Sequence, residues 1–269
     1  MRLTVEKTFK LYVGGQFIRS ESGRVLRVRS REGSSVNVCS ASRKDFRDAM
    51  DLARKAQPGW AARTGYNRGQ ILYRLAEMLE SRARALPTEA DDVTQAIDRA
   101  VHHAGWSDKI TALLSSLNPV ASAHVNYSML RPLGVVVAAP DVADGLTGMV
   151  EALCAATVMG NTVHLFVPAT LGELAAALSE ALATCDMPGG VVNVMTADVP
   201  ELLGWANHHD DLDGIYVARA AVSAETLAGI EREAARVMRR VIVVAGAAAP
   251  ASPQVLEHLA EVKTVWMSS

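Results

Sequence analysis

Val135-Val-Val-Ala-Ala139 and, after one helix-length interval, Thr162-Val-His-Leu-Phe-Val167 decide the fold. Both runs are short, and almost every residue is apolar or β-branched. They lack the apolar/polar alternation of a strand with one wet face, so they read as strands covered on both sides. Residues 146–158 between them read as a helix. The same rhythm continues, with strands predicted at Val191–Met195, Gly214–Val217 and Val241–Val244. Helices are predicted near 171–184, 199–207 and 223–238. Five strands joined by four crossovers imply an α/β fold with a parallel, doubly wound, Rossmann-like sheet.

Upstream, the chain changes character. Leu11-Tyr-Val-Gly-Gly-Gln-Phe-Ile18 reads as two short strands about a Gly14-Gly15 turn. Two more strands are expected near Arg24–Arg29 and Ser35–Cys39. Ser42 followed by Asp45 has capping-box spacing, with Phe46, Ala49, Met50 and Ala53 on one face of the helix it opens. Further helices are predicted at about 67–84 and 88–106. Downstream, Ala247-Ala-Ala-Pro-Ala-Ser-Pro253 is linker-like. Val255 to Met267 then reads as a short helix end feeding an alternating strand, Glu261–Met267.

Composition narrows the function. The 269 residues can bury a substantial core, and 49% hydrophobic with 21% charged residues is ordinary for a globular chain. A net charge of −2 provides no field that would gather nucleic acid or an anionic membrane. Cys39, Cys154 and Cys185 are too few and too scattered for a disulfide framework, so a reduced cytoplasm is the expected location. The opening Met-Arg-Leu-Thr-Val-Glu-Lys has no signal-peptide core. No uncharged apolar run reaches the roughly 18 residues of a membrane span.

Several segments share an order with one known family. Leu11 to Gly23 resembles an opening "LYIGGxWxxSxSG", and Ala41 to Trp60 resembles a helix "ASxxDxxxAxxAAxxAxxxW". Gly105-Trp-Ser-Asp-Lys109 is similar to "AGWADK". Arg131-Pro-Leu-Gly-Val-Val136 is similar to "xPLGVV", and Gly160-Asn-Thr-Val163 to "GNTV". Pro188-Gly-Gly-Val-Val-Asn-Val194 resembles "PPGVVNV", and Glu261 to Trp266 resembles a closing "EVKTVW". The chain thus resembles the aldehyde dehydrogenases, and most closely the shortened second domain of two-domain members.

The resemblance implies aldehyde oxidation by a cysteine thiolate with hydride transfer to NAD(P). Its departures fall on that chemistry. The domain carrying the cysteine should lie between residue 252 and the closing strand, and it is missing there. Where the family has an oxyanion Asn in "PWNFP", this chain has Pro140-Asp-Val-Ala-Asp-Gly145. Val244 takes the place of the general-base Glu, and Val167 that of a ribose-binding Lys. Tyr216-Val-Ala-Arg219 replaces a phosphate-binding "FTGS" turn and has no glycine. The implied cofactor set is therefore empty, with no catalytic, cofactor-binding or metal residue.

Other features read as structure. Cys154 falls inside an apolar helix and reads as a core thiol, whereas Cys185 follows a helix end and is expected to be exposed. His208-His-Asp-Asp-Leu-Asp213 reads as a solvated turn rather than a metal cluster, and adjacent His102 and His103 face different ways. Arg27, Arg29 and Arg31, and the group Arg232, Arg236, Arg239 and Arg240, read as solvated faces.

The resulting expectation is a non-catalytic subunit. A degenerate dinucleotide-binding domain would span 1–120 and 132–252. An oligomerisation tongue would combine 121–131 with 253–269. The tongue would meet a full-length aldehyde dehydrogenase, giving a hetero-oligomer, through Val262, Thr264, Val265, Trp266 and Met267 together with Tyr127 and Met129. No nucleic-acid or membrane partner is expected. One alternative is an NAD(P)-dependent aldehyde oxidoreductase active within a split complex. The other is a nucleotide- or metabolite-sensing module with its pocket at the carboxyl ends of the strands.

Overall fold

A computed structural model describes residues 6–268. Residues 1–5, which open the segment read for a signal peptide, and residue 269 of the tongue expectation lie outside the described residues. In chain order the elements are β1 (Thr8–Phe9), β2 (Leu11–Val13), β3 (Gln16–Ile18), β4 (Val25–Arg29) and β5 (Ser35–Cys39). Helices α1 (Arg43–Ala61), α2 (Gly65–Arg82), α3 (Ala90–Trp106) and α4 (Ile110–Leu114) follow, then β6 (Ser116–Asn118) and β7 (His124–Pro132). The alternating half comprises β8 (Val135–Ala139), α5 (Gly145–Val158), β9 (Thr162–Pro168), α6 (Gly172–Leu182) and β10 (Val192–Ala197). It continues with α7 (Val199–Asn207), β11 (Gly214–Ala218), α8 (Ala224–Val237) and β12 (Arg240–Val244), and α9 (Pro253–His258) and β13 (Ala260–Ser268) end the described chain.

The main sheet has seven strands in the order β12-β11-β8-β9-β10-β2-β3. The first five are parallel, as the sequence predicts. The β2–β3 hairpin extends this sheet antiparallel, through Tyr12 opposite Val194. The sequence shows the hairpin but not where it docks. Asn193 makes the join, its side-chain oxygen accepting the Gly14 amide at 2.8 Å.

Alternate residues of each strand feed opposite layers. Val136 and Ala138 pack with the α2, α3, α5 and α6 side, whereas Val135, Val137 and Ala139 pack with α1, α7 and α8. Trp60 of α1 crosses the edge and donates its indole N–H to the Thr157 carbonyl at 2.9 Å. The predicted capping box at α1 is present, and Asp45 does more than cap. Its buried carboxylate accepts the Ser42 amide (2.8 Å), the Glu21 amide (3.0 Å) and the Ser20 hydroxyl (2.6 Å). Helices α2 and α3 approach closely because Gly69 has no side chain; a Cβ there would lie 2.2 Å from Ser107 Oγ.

Strands β1, β5 and β4 form a small separate sheet. A third sheet, β13-β7-β6, stands apart from the main one and contains the expected tongue strands. It begins at Ser116, upstream of the expected 121, because β6 pairs with the middle of β7.

The linker reading of 247–253 is corrected. Ala247 and Ala251 are buried, and polar groups stitch the segment down. The Ala247 amide donates to Asp144 (2.7 Å), Arg99 donates to the Ala247 carbonyl (2.9 Å), and the Ala251 amide donates to Glu151 (2.7 Å). Small side chains here serve close backbone approach rather than mobility.

Candidate functional site

The usual ligand position of such a sheet is the crevice outside the carboxyl ends of its strands. Here a cavity of about 730 Å³ opens between the ends of β8, β9 and β12 and the N-terminal half of α3. Its lining includes Asp91, Asp92, Asp144 and Glu173, against Arg29 and Arg31. At the mouth, Gly145 turns the chain into α5 with φ +51°, and a Cβ there would lie 2.6 Å from the Asp92 carboxylate.

Asp92 occupies the α5 N-terminus. Its carboxylate accepts the Leu146 and Thr147 amides, both at 2.9 Å, and the Thr147 and Thr88 hydroxyls at 2.7 and 2.6 Å. Burial pushes this carboxyl up, but those hydrogen bonds outweigh it and hold the group below its ordinary value. The free amides that would attract an anion at this helix start are thus already engaged by a carboxylate. Beside it, Asp144 is held by Ala247. The residues present do not fit the diphosphate of a nicotinamide dinucleotide at this helix start: its amides are taken by Asp92, and the cavity is lined by five carboxylates, Glu89, Asp91, Asp92, Asp144 and Glu173.

The positions singled out from the sequence lie at the carboxyl ends of three strands of the main sheet. Val167 is buried within β9. Ala218 is buried at the end of β11 and Arg219 is exposed beyond it. Val244 ends β12 half-buried. All three cysteines are buried, which corrects the expectation that Cys185 is exposed: the turn after α6 folds back into the core. Burial pushes the Cys154 thiol well up and that of Cys185 up to about 11, so neither is a ready thiolate near neutral pH.

Among the described residues, no group of His, Cys, Asp and Glu is placed to hold a metal ion. His208 instead sits on the surface with its Nδ1 3.4 Å from Glu233. The basic groups are only partly solvated. Arg27 pairs with Glu6, and Arg31, lying past the end of β4, pairs with Glu89. Arg239 is buried, correcting its reading as a solvated residue. Its guanidinium donates to the Leu212, Asn207 and His209 carbonyls that end α7 and lead into β11. Arg240 donates to the Ala260 carbonyl and the Glu261 carboxylate, both at 3.1 Å, and so fixes the root of β13.

Sequence reasoning missed one buried polar cluster. Glu151 of α5 and His103 of α3 meet at 3.0 Å with both side chains inside the core, and Arg99 lies 3.6 Å from the same carboxylate. Burial opposes ionisation of Glu151, but His103, the Ala251 amide and Arg99 hold its carboxyl below the ordinary value. A Glu in an otherwise apolar helix stretch was the available signal.

The expected interface residues do come together on the third sheet. β13 pairs antiparallel with β7 along its whole length, from Ala260 opposite Pro132 to Ser268 opposite His124. Directly opposed residues share a face. One face carries Val262, Thr264 and Trp266 with Ser128, Asn126 and Asn118, joined by a hydroxyl–hydroxyl hydrogen bond between Thr264 and Ser128 (2.8 Å) and by one from the Asn118 amide to the Asn126 side-chain oxygen (2.6 Å). The other carries Val265 and Met267 with Tyr127, Met129 and Leu117. The seven predicted residues therefore divide between two faces, one with a polar ladder and one mostly apolar. Val262 is 65% exposed, Trp266 60% and Leu117 77%. β13 lies at the sheet end, and its outer edge pairs with no strand among the described residues.

Solved structures share this architecture. The chain superposes on an aldehyde dehydrogenase from Brucella melitensis biovar abortus 2308 with a TM-score of 0.80 at 20% identity, covering 87% of this chain and 50% of that one. For the NAD+ complex of the Bacillus cereus aldehyde dehydrogenase the TM-score is 0.78 at 23% identity, with 88% and 50% covered. In sequence, DhaS of Bacillus subtilis (strain 168) is 28% identical over 91% of this chain and 52% of its own length. An Aspergillus niger aldehyde dehydrogenase is 27% identical over 83% and 46%. The chain thus spans about half the length of the relatives it matches. With residues 17–258 matched to the aldehyde dehydrogenase family, the chain belongs to that family.

Proposed function

We propose that this chain is a non-catalytic member of its family that assembles, through the sheet of β6, β7 and β13, with a full-length aldehyde dehydrogenase and stabilises or regulates it. The observation that carries the reading is β13 itself. It is nine residues long, paired on one side only among the described residues, and presents exposed Val262, Trp266 and Met267 around that edge. Such an edge is a template for pairing with another chain, and aromatic residues are favoured anchors of interfaces.

The chemistry supports a non-catalytic role. Val244 cannot exchange a proton, the three thiols are buried, and Asp92 fills the helix N-terminus at the crevice mouth. Only residues 245–259 separate β12 from β13, too short a stretch for a domain. Recognition of the partner falls to the β13 edge and its two faces. The test is light scattering of the chain with a full-length aldehyde dehydrogenase of its native host, using wild type and a chain ending at Glu261. A joint species lost on truncation supports the reading, and one that survives truncation refutes it.

A further inference from the structure

A second cavity, of about 730 Å³, opens between the first turns of α1 and the end of α7. Its floor is Phe46, buried in the core with His209 edge-on at 5.6 Å. The half-buried ring of Trp205 lines one side. The other side carries Arg43, Lys44 and Arg47 against a single carboxylate, Glu21. This charge balance is the reverse of that in the acidic crevice.

The charges around it are unequally committed. Lys44 pairs with Glu21 at 3.4 Å, Arg47 with Asp48 at 3.1 Å, and His208 lies 3.4 Å from Glu233. Asp45, beneath the helix start, spends its carboxylate on the Ser20 hydroxyl and the Ser42 and Glu21 amides. Arg43 is exposed, and among the described residues its side chain makes neither an ion pair nor a hydrogen bond. The Trp205 indole N–H likewise donates to no protein group among the described residues. The cavity therefore offers an uncommitted guanidinium and an unused indole donor beside an aromatic ring. An arginine fork matches a carboxylate through two parallel hydrogen bonds, and a flat ring stacks on an indole.

We infer that this cavity binds a small planar aromatic carboxylate, its oxygens on the Arg43 guanidinium and its ring against Trp205. A neutral aromatic alcohol keeps the ring and loses the charge. A saturated carboxylate keeps the charge and loses the flat face. The site involves neither the edge of β13 nor any partner chain, so it stands or falls separately from the assembly reading.

The test is a ligand-observed NMR titration of the full chain with benzoate, benzyl alcohol and cyclohexanecarboxylate at constant ionic strength. Wild type is expected to bind benzoate saturably and more tightly than either analogue. R43E should weaken benzoate about tenfold or more, the factor a lost charge-assisted bond carries, and leave benzyl alcohol unchanged. Arg43 is exposed at the first position of α1, where a carboxylate complements the helix dipole, so this variant keeps its fold. W205L removes the ring and keeps an apolar side chain; it should weaken benzoate about fivefold or more and leave cyclohexanecarboxylate nearly unchanged. Where W205L fails to fold, R43E decides alone. Benzoate binding no tighter than that of benzyl alcohol, or unchanged in R43E or in a folded W205L, overturns the site.

Discussion

His164 lies in the middle of β9, fully buried between the layers, with Phe46 edge-on at 5.6 Å and no hydrogen-bond partner on either ring nitrogen. Burial, with a further contribution from the charge of His209, lowers its pKa from 6.5 to about 3. The folded chain therefore holds a neutral imidazole where the unfolded chain takes a proton. Below about pH 6.5 the unfolded state binds more protons, so stability falls as pH drops, by about 1.4 kcal/mol per unit until the folded value is reached. Between pH 7 and 5 the loss from this residue is about 2 kcal/mol. His164→Leu should remove that share: chemical denaturation at both pH values should show a smaller difference than wild type, with no loss at pH 7. An unchanged difference would contradict the argument. Asp92 acts at the same scale. Asp92→Ala leaves the α5 amides without their acceptor and should cost about 1–2 kcal/mol in thermal or urea unfolding, as lost helix caps do.

At the scale of elements, the root of β13 and its outer length behave differently. Leu256, Leu259 and Ala260 are core residues, and the Leu259 carbonyl accepts the Asn161 side chain at 2.8 Å. Residues 262–268 lie on the third sheet, beyond that root. A chain ending at Glu261 should keep its circular dichroism and melt within a few degrees of wild type. One ending at His258 should lose roughly 3 kcal/mol, from the buried Leu259 side chain and the abandoned Asn161 and Arg240 bonds. Equal stability of the two would show that the root is not anchored. These elements were differently legible in the sequence. The parallel strands, the α1 capping box and β13 follow from local pattern, because two covered faces, one Ser/Asp spacing and one alternation each leave a local trace. The placement of the hairpin against β10, the burial of Arg239 and the pairing of Glu151 with His103 depend on residues 27 to 179 positions apart, and no local period records them. The stitched segment 247–253 reads as a linker for the same reason: Ala and Pro suit a loose segment and a closely held one alike.

At the scale of the whole molecule, about half of the family's fold is present, and on the proposed reading its chemistry is not. The sheet and both helical layers are intact, the thiols are inside, and the crevice mouth is acidic. The isolated chain should therefore form no NADH or NADPH from aldehydes in an absorbance assay. Turnover that disappears when Cys39, Cys154 and Cys185 are all changed to Ala, with the fold retained, would contradict this. Alanine is the right replacement, because serine would place hydroxyls in the core at all three positions. On the proposed reading, the functional part is a surface, the sheet ending in β13. Light scattering after size-exclusion chromatography of an equimolar mixture with the host's full-length aldehyde dehydrogenase tests that claim most directly. The account predicts a species heavier than the partner alone by one or more 28.7 kDa chains, absent when this chain ends at Glu261. Two separate peaks with the intact chain, or a joint species unaffected by the truncation, would contradict it.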